Sequence, residues 1–277
     1  RSMFVKPEHR EAACHPAAWN LDGKDDIRIK MCNKVNADDF KTIHHELGHN
    51  YYQRAYKDQD YFYQAGANEA FHEAIGDFIA LSITPEYLHQ IGLLDEVPNA
   101  SADMGLLMQS ALDNVAFLPF SFLVDKWRWQ VFSGKTTPDQ YNESWWSLRR
   151  QYQGVMPPIE RDAKYFDAGS KYHIPSYTSY TRYFIARILQ FQLHKSACRM
   201  ADWQGPLHRC TIYDSKAVGE RLNTMLEMGA SQPWPEVLKT FGGNSEMDGS
   251  AMLEYYAPLM DWLRQQNQNR SCGWNEG

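Results

Sequence analysis

Apolar and charged side chains alternate along Ile27-Arg28-Ile29-Lys30-Met31, and that period of two predicts a short strand. The rest of the pattern is helical, with clear punctuation. Asn36 reads as an N-cap with Asp38 and Asp39 in the first turn, opening a helix that runs to about Lys57. A second helix is expected over about 69–82. Thr84-Pro85 starts a third as N-cap and first-turn proline, with Gly92 as its stop. Helices over 102–117 and 120–132 follow, separated by Pro119 and closed by Gly134. Thr137-Pro138 opens another that runs to Gly154. Residues 155–178 carry four proline or glycine breakers and read as a long loop, a length usually tied to function. A long aromatic-rich helix is expected from Tyr180 to about Trp203. Asp214 caps one that ends at Gly229, Pro233-Trp234-Pro235 starts a short one, and the last spans 248–266. Residues 1–26 read as irregular and the tail from 267 as frayed. The fold expected is mainly α with very little strand, and with no internal repeat or linker residues 1–277 read as a single region.

The chain has 277 residues, enough for a substantial core. A net charge of −6 argues against a nucleic-acid partner, which favours a basic face. No run of about 20 apolar residues is present, so no transmembrane segment is expected. Arg1 to Pro7 lack the apolar stretch of a signal peptide; either none was needed or it lay upstream. Four of the 5 cysteines admit three pairings, of which the local one, Cys14–Cys32 with Cys198–Cys210, is expected. Each such closure stabilises by about 3 kcal/mol on the chain-entropy model. Cys272 is left over. With the sequons at Asn99, Asn142 and Asn269, these cysteines point to a secreted, extracellular glycoprotein.

The chemistry sits in His45-Glu46-Leu47-Gly48-His49. Two histidines four apart share one face of a helix and can grip one metal ion, with the intervening Glu46 beside it as a base. Catalytic zinc takes three protein ligands and leaves one position open. Glu73, on the next helix, is the third candidate. Asp77 lies one turn on, placed to accept the outer ring N–H of a ligating histidine and fix its tautomer. A two-histidine pattern alone arises by chance; the downstream Glu/Asp pair makes a Zn²⁺ site the better reading.

Further motifs carry a resemblance. His44 to His49, Gly66 to Asp77, Lys171-Tyr172-His173-Ile174-Pro175, Tyr180 to Phe184, Cys14 to Trp19, Trp145 to Arg149, Gln190-Phe191-Gln192 and Gly205 to Cys210 together resemble the angiotensin-converting enzyme family, the peptidyl-dipeptidases among the gluzincins. The resemblance covers essentially the whole chain but only the C-terminal, zinc-bearing half of that family's domain. It implies a zincin-type helical metallopeptidase lacking the N-terminal half, with another chain as one possible source of that half.

By this resemblance His45, His49 and Glu73 hold zinc, Glu46 is general base and then acid, and Asp77 braces a ligand. Tyr183 stabilises the oxyanion, and His173 and His15 hydrogen-bond substrate carbonyls. Lys171 and Tyr180 anchor the free C-terminal carboxylate of a short peptide, which favours release of a dipeptide. Pro16 points instead to the carboxypeptidase branch, which removes single residues. Arg182 resembles one chloride ligand, and Trp145 and Arg149 parts of another. Arg187 stands where the family commonly has Phe, hinting at tolerance for an acidic substrate residue. A non-catalytic zinc-bound binding module is the alternative, because half of the cleft is missing.

Overall fold

A computed structural model describes residues 1–273, so the last four residues of the expected frayed tail lie outside the described residues. In chain order, β1 (Ala17–Asn20) and β2 (Ile27–Lys30) precede α1 (Ala37–Ala55), α2 (Glu69–Leu81) and α3 (Pro85–Gln90). Then come α4 (Asp103–Asn114), α5 (Phe117–Phe132) and α6 (Tyr141–Gln153). They are followed by α7 (Thr181–Met200), α8 (Lys216–Glu227), α9 (Trp234–Gly242) and α10 (Ser250–Gln266). The expected class, mainly α with very little strand, holds. The chain divides into two compact units.

The first unit comprises Arg1–Ser101 and Ile185–Tyr255. Its two strands pair antiparallel with Ala17 opposite Lys30 and Asn20 opposite Ile27. The Cys14–Cys32 disulfide closes the hairpin just outside that register. Asn36 caps α1 by accepting from Asp39 N, and Asn68 caps α2 by accepting from Ala70 N and Phe71 N. Each cap satisfies amides that have no intrahelical partner, a contribution of about 1 kcal/mol. The inner faces of α1, α2, α7, α8 and α9 meet in one core containing Tyr52, Phe71, Phe78, Leu193, Met225 and Leu238. Burying each such side chain contributes about 1.5–3 kcal/mol. The second disulfide, Cys198–Cys210, ties the end of α7 to the turn that follows.

The second unit comprises Ala102–Phe184 and the chain from Tyr256 on. Leu123, Val124 and Trp127 of α5 pack with Trp145 and Leu148 of α6 and with Tyr180. Asp125 and Arg128, both buried, form an ion pair at 2.6 Å one turn apart on α5. Asp125 accepts from the amides of Tyr180 (2.7 Å) and Thr181 (2.6 Å), so it caps the start of α7 from a neighbouring helix. Arg128 donates to the carbonyls of His173 and Thr178. The long loop over 155–178 is thereby fastened to α5; its regular structure is one 3-10 turn, Asp167–Ser170.

Four expectations need correction. Ala17–Asn20 is a strand, although the stretch reads as irregular. Pro119 does not separate two helices: it is the third residue of α5, where the missing N–H would have had no intrahelical acceptor. The break falls instead at Val115 and Ala116. Asp214 sits at φ +61°, and Ser215 holds the N-cap position of α8. Ala100–Phe132 is apolar and long enough, by length and composition, to cross a bilayer, which qualifies the expectation of no such stretch. It forms two helices rather than one and carries the Asp125–Arg128 pair, and Leu123, Val124 and Trp127 supply the core of the second unit.

Candidate active site

In the first unit α1 brings His45 and His49 to one face, four residues apart. Helix α2 approaches α1 closely because both carry glycine at the crossing. A Cβ on Gly48 would lie 2.8 Å from Gly76 Cα, and one on Gly76 would lie 2.8 Å from His45 Nδ1. That approach delivers Glu73. His45 Nε2 and His49 Nε2 are 3.0 Å apart, and Glu73 Oε2 is 3.5 Å from the first and 3.7 Å from the second.

The outer nitrogen of His45 meets Asp77: Nδ1 to Oδ1 is 3.0 Å. Burial by itself opposes a charged His45, but hydrogen bonds to Asp77 and Glu73 and their charges outweigh it and raise the imidazole to about 10. His49 is pushed down to about 3 by burial and by its cationic neighbour His45. Burial also works against ionised Asp77, yet Arg187 and His45 hold its carboxyl below the usual range. Arg187 Nη1 lies 3.2 Å from Asp77 Oδ2, so the guanidinium is engaged with the carboxylate that braces His45. Glu46 is 7% exposed, and burial pushes its carboxyl up, while an amide hydrogen bond from Ala18 of β1 works the other way. The sequence missed one group here: His72, whose Nδ1 lies 3.3 Å from His49 Nδ1. The only available signal was a histidine directly before a ligand candidate.

The second unit gathers most of the expected substrate groups. His173 Nε2 lies 3.0 Å from the Tyr183 hydroxyl. The Tyr180 ring packs against both, with centroids at 5.0 Å from His173 and 4.8 Å from Tyr183. Lys171 Nζ stands 5.1 Å from the Tyr180 ring centre, and burial depresses its ammonium below the usual lysine range. Arg149 faces the rings of Phe120, Trp145 and Trp146 at 5.2, 5.9 and 5.7 Å, and burial lowers its affinity for the proton. Its Nε has no hydrogen-bond partner among the described residues. Arg182, on the first turn of α7, is half-buried. His15 belongs to the first unit, exposed, next to Cys14 and ahead of β1.

Of the three sequons, Asn99 and Asn269 are exposed. Asn142 is corrected: it is 1% exposed, donates to Asp162 O at 3.3 Å and accepts from Asp167 N at 2.9 Å. An amide so held offers no nitrogen to a glycan. The fifth cysteine, Cys272, is exposed and unpaired.

Comparison with known proteins places the chain in a family. A family model described as Peptidase_M2, angiotensin-converting enzyme, matches residues 1–274. The chain is 50% identical over 280 residues to angiotensin-converting enzyme of Rattus norvegicus, a match covering 99% of this chain and 21% of that protein. For the Bos taurus protein the identity is 49%, with the same coverage. For that of Theromyzon tessulatum it is 45% over 279 residues, covering 100% of this chain and 45% of that protein. The chain thus spans about a fifth of the length of the two mammalian relatives and under half that of the third. With the family model matched almost end to end and identities near one half, the chain belongs to the angiotensin-converting enzyme family.

Proposed function

We propose that this chain is the zinc-bearing half of a peptidyl-dipeptidase, which releases dipeptides from the free C-terminus of short peptides. The carrying observation is the donor triangle of His45, His49 and Glu73, with sides of 3.0, 3.5 and 3.7 Å. Ligand bonds of 2.0–2.1 Å in a tetrahedron set donors about 3.3 Å apart, so the residues present fit zinc with one position open. A zinc ion held there supplies Lewis-acid chemistry, lowering the pKa of water and polarising an amide carbonyl.

The side chains do the rest. Asp77 accepts His45 Nδ1–H and so leaves Nε2 free to ligate. Glu46 takes the proton of the attacking water and returns it to the leaving amine; its burial, which raises its pKa, suits a carboxyl that must carry a proton in mid-reaction. The Tyr183 hydroxyl is the proposed donor to the oxyanion, a role worth about 2.7–4 kcal/mol of barrier. His173, within hydrogen-bond reach of it, and His15 would bind substrate carbonyls. Lys171 and Tyr180 present an ammonium and a phenol together, matched to a peptide's terminal carboxylate. Arg149 among its three rings, with Trp145, is a candidate chloride contact, and Arg182 another. The two disulfides and the exposed sequons at Asn99 and Asn269 support a secreted protein.

A second reading is a zinc-bound binding module that holds the metal in the same donor triangle without turnover. A chromogenic tripeptide assayed with and without chelator separates the two: chelator-sensitive cleavage supports the enzyme, and zinc binding without cleavage the module. Mass analysis of the products distinguishes dipeptide from single-residue release.

A further inference from the structure

We propose that His72 is a positioning residue for the metal: it accepts the Nδ1–H of His49 and so commits that imidazole to ligation through Nε2. The inference rests on the reading that His45, His49 and Glu73 hold zinc.

An imidazole that ligates through one nitrogen carries its proton on the other, and that proton needs an acceptor. His49 turns Nε2 toward His45 and Glu73, and turns Nδ1 to His72 Nδ1 at 3.3 Å. On the far side of the His72 ring, Nε2 lies 3.1 Å from the hydroxyl of Tyr56. One assignment of protons satisfies these two contacts alongside a metal. His49 Nδ1–H donates to His72 Nδ1, and His72 Nε2–H donates to Tyr56 Oη. The opposite assignment, with His72 Nδ1–H donating, puts the His49 proton on Nε2, where the metal belongs. A metal on His49 and a proton on His72 Nδ1 are therefore mutually exclusive.

The His72 ring has a built seat. The Tyr52 ring lies tilted against it with centroids 4.5 Å apart, and the Tyr56 ring stands nearly perpendicular to it with centroids 5.8 Å apart. Both tyrosines are buried; Tyr52 lies on α1 one turn past His49, and Tyr56 is the C-cap just beyond the end of that helix. Tyr52 is itself fixed by the amide of Ala67, which donates to its hydroxyl at 3.1 Å. Gly66 completes the seat, since a Cβ there would come within 2.9 Å of His72 Cδ2. The two histidine ligands are thus braced differently. His45 leans on a carboxylate that is itself paired with Arg187, and His49 leans on a second imidazole. An imidazole acceptor fixes the tautomer without adding a fourth carboxylate to a site that already holds Glu46, Glu73 and Asp77.

A histidine that merely fills an aromatic seat would be replaced better by Phe than by Asn. The positioning role reverses that order, because Asn Oδ1 can accept where His Nδ1 does. Zinc dissociation constants of the full chain, measured by competition with a chromogenic chelator, decide between them, with the melting temperature of the metal-free form checking the fold. We expect His72→Asn to stay within about threefold of the parent and His72→Phe to bind about 10–100-fold more weakly, the range for loss of a ligand's hydrogen-bond partner. Equal affinities for parent and Phe variant, or an Asn variant as weak as Phe, would overturn the proposal. Nitrogen-15 histidine spectra of the zinc-loaded parent test it without a variant: His72 protonated at Nε2 supports it, and at Nδ1 refutes it. A parent chain that binds no zinc, with His49→Ala alike, would sink the metal reading first and this inference with it.

Discussion

Gly48 of α1 and Gly76 of α2 lie so close that a methyl group on the first would stand 2.8 Å from the Cα of the second. This contact sets the distance between the helix that carries two imidazoles and the helix that carries Glu73. Alanine normally stabilises a helix interior by about 0.5–1 kcal/mol over glycine, so the sign of the change reports the contact. Gly76→Ala should lower stability by about 1–3 kcal/mol through overpacking against His45, and weaken zinc binding with it. Gly219→Ala in α8, where an added methyl meets nothing within 4 Å, should stabilise. Urea unfolding of the two variants checks both signs; a stabilised Gly76→Ala would mean that the helices have room to spare.

Glu46→Gln keeps the shape of the side chain and removes its basicity. Peptide cleavage should fall by at least about 100-fold, the scale of a lost general base, while zinc stays bound. Steady-state rates alongside metal analysis of the same sample read this out. Turnover near that of the parent would remove Glu46 from the chemistry.

Lys171→Ala should raise KM for peptides ending in a free acid and leave the corresponding C-terminal amides little changed. The ammonium stands beside the Tyr180 ring and partly out of water, where an incoming carboxylate gains most from it. Paired measurements on one peptide in its acid and amide forms give the comparison, and equal effects on both would dissolve the anchor.

His194 provides a pH test away from the metal. It is 1% exposed, and burial depresses it from 6.5 to about 4, although its hydrogen bond to Leu207 O works the other way. The folded protein therefore holds this imidazole neutral in a window where the unfolded chain is protonated. Its stabilising contribution is complete above pH 6.5 and drains away as pH falls toward 4, by about 3 kcal/mol in total. Unfolding free energies from pH 7 to 4 should fall more steeply for the parent than for His194→Gln. Parallel curves would place the proton elsewhere.

Much of this was legible from residue types with one local meaning. Asn36 and Thr84 mark helix starts because their short side chains reach orphan amides, and each does so. His45, His49, Glu73 and Asp77 could be placed by helical period. The Cys14–Cys32 and Cys198–Cys210 pairs could be placed by separation along the chain. What escaped depends on partners far away in sequence. Ala17–Asn20 is four residues long and becomes a strand only by pairing with β2. Asn142 matches a surface sequon but is drawn inside by Asp162 and Asp167. Asp125 looks like an ordinary helix carboxylate until the first amides of α7, about 55 residues on, are seen to end on it. His72 gives no periodic signal, since its role lies in which nitrogen faces His49.

The central claim is a metal held by two imidazoles and one carboxylate. X-ray absorption at the zinc edge, on the chain loaded with one equivalent of zinc, tests it most directly. The account predicts a four-coordinate shell of nitrogen and oxygen only, at about 2.0–2.1 Å, lost when His45 and His49 are both replaced by Ala. A sulfur shell near 2.3 Å, as the His194, Cys198 and Cys210 cluster would give if its disulfide were open, would contradict it. So would a zinc signal unchanged in the chain lacking both imidazoles.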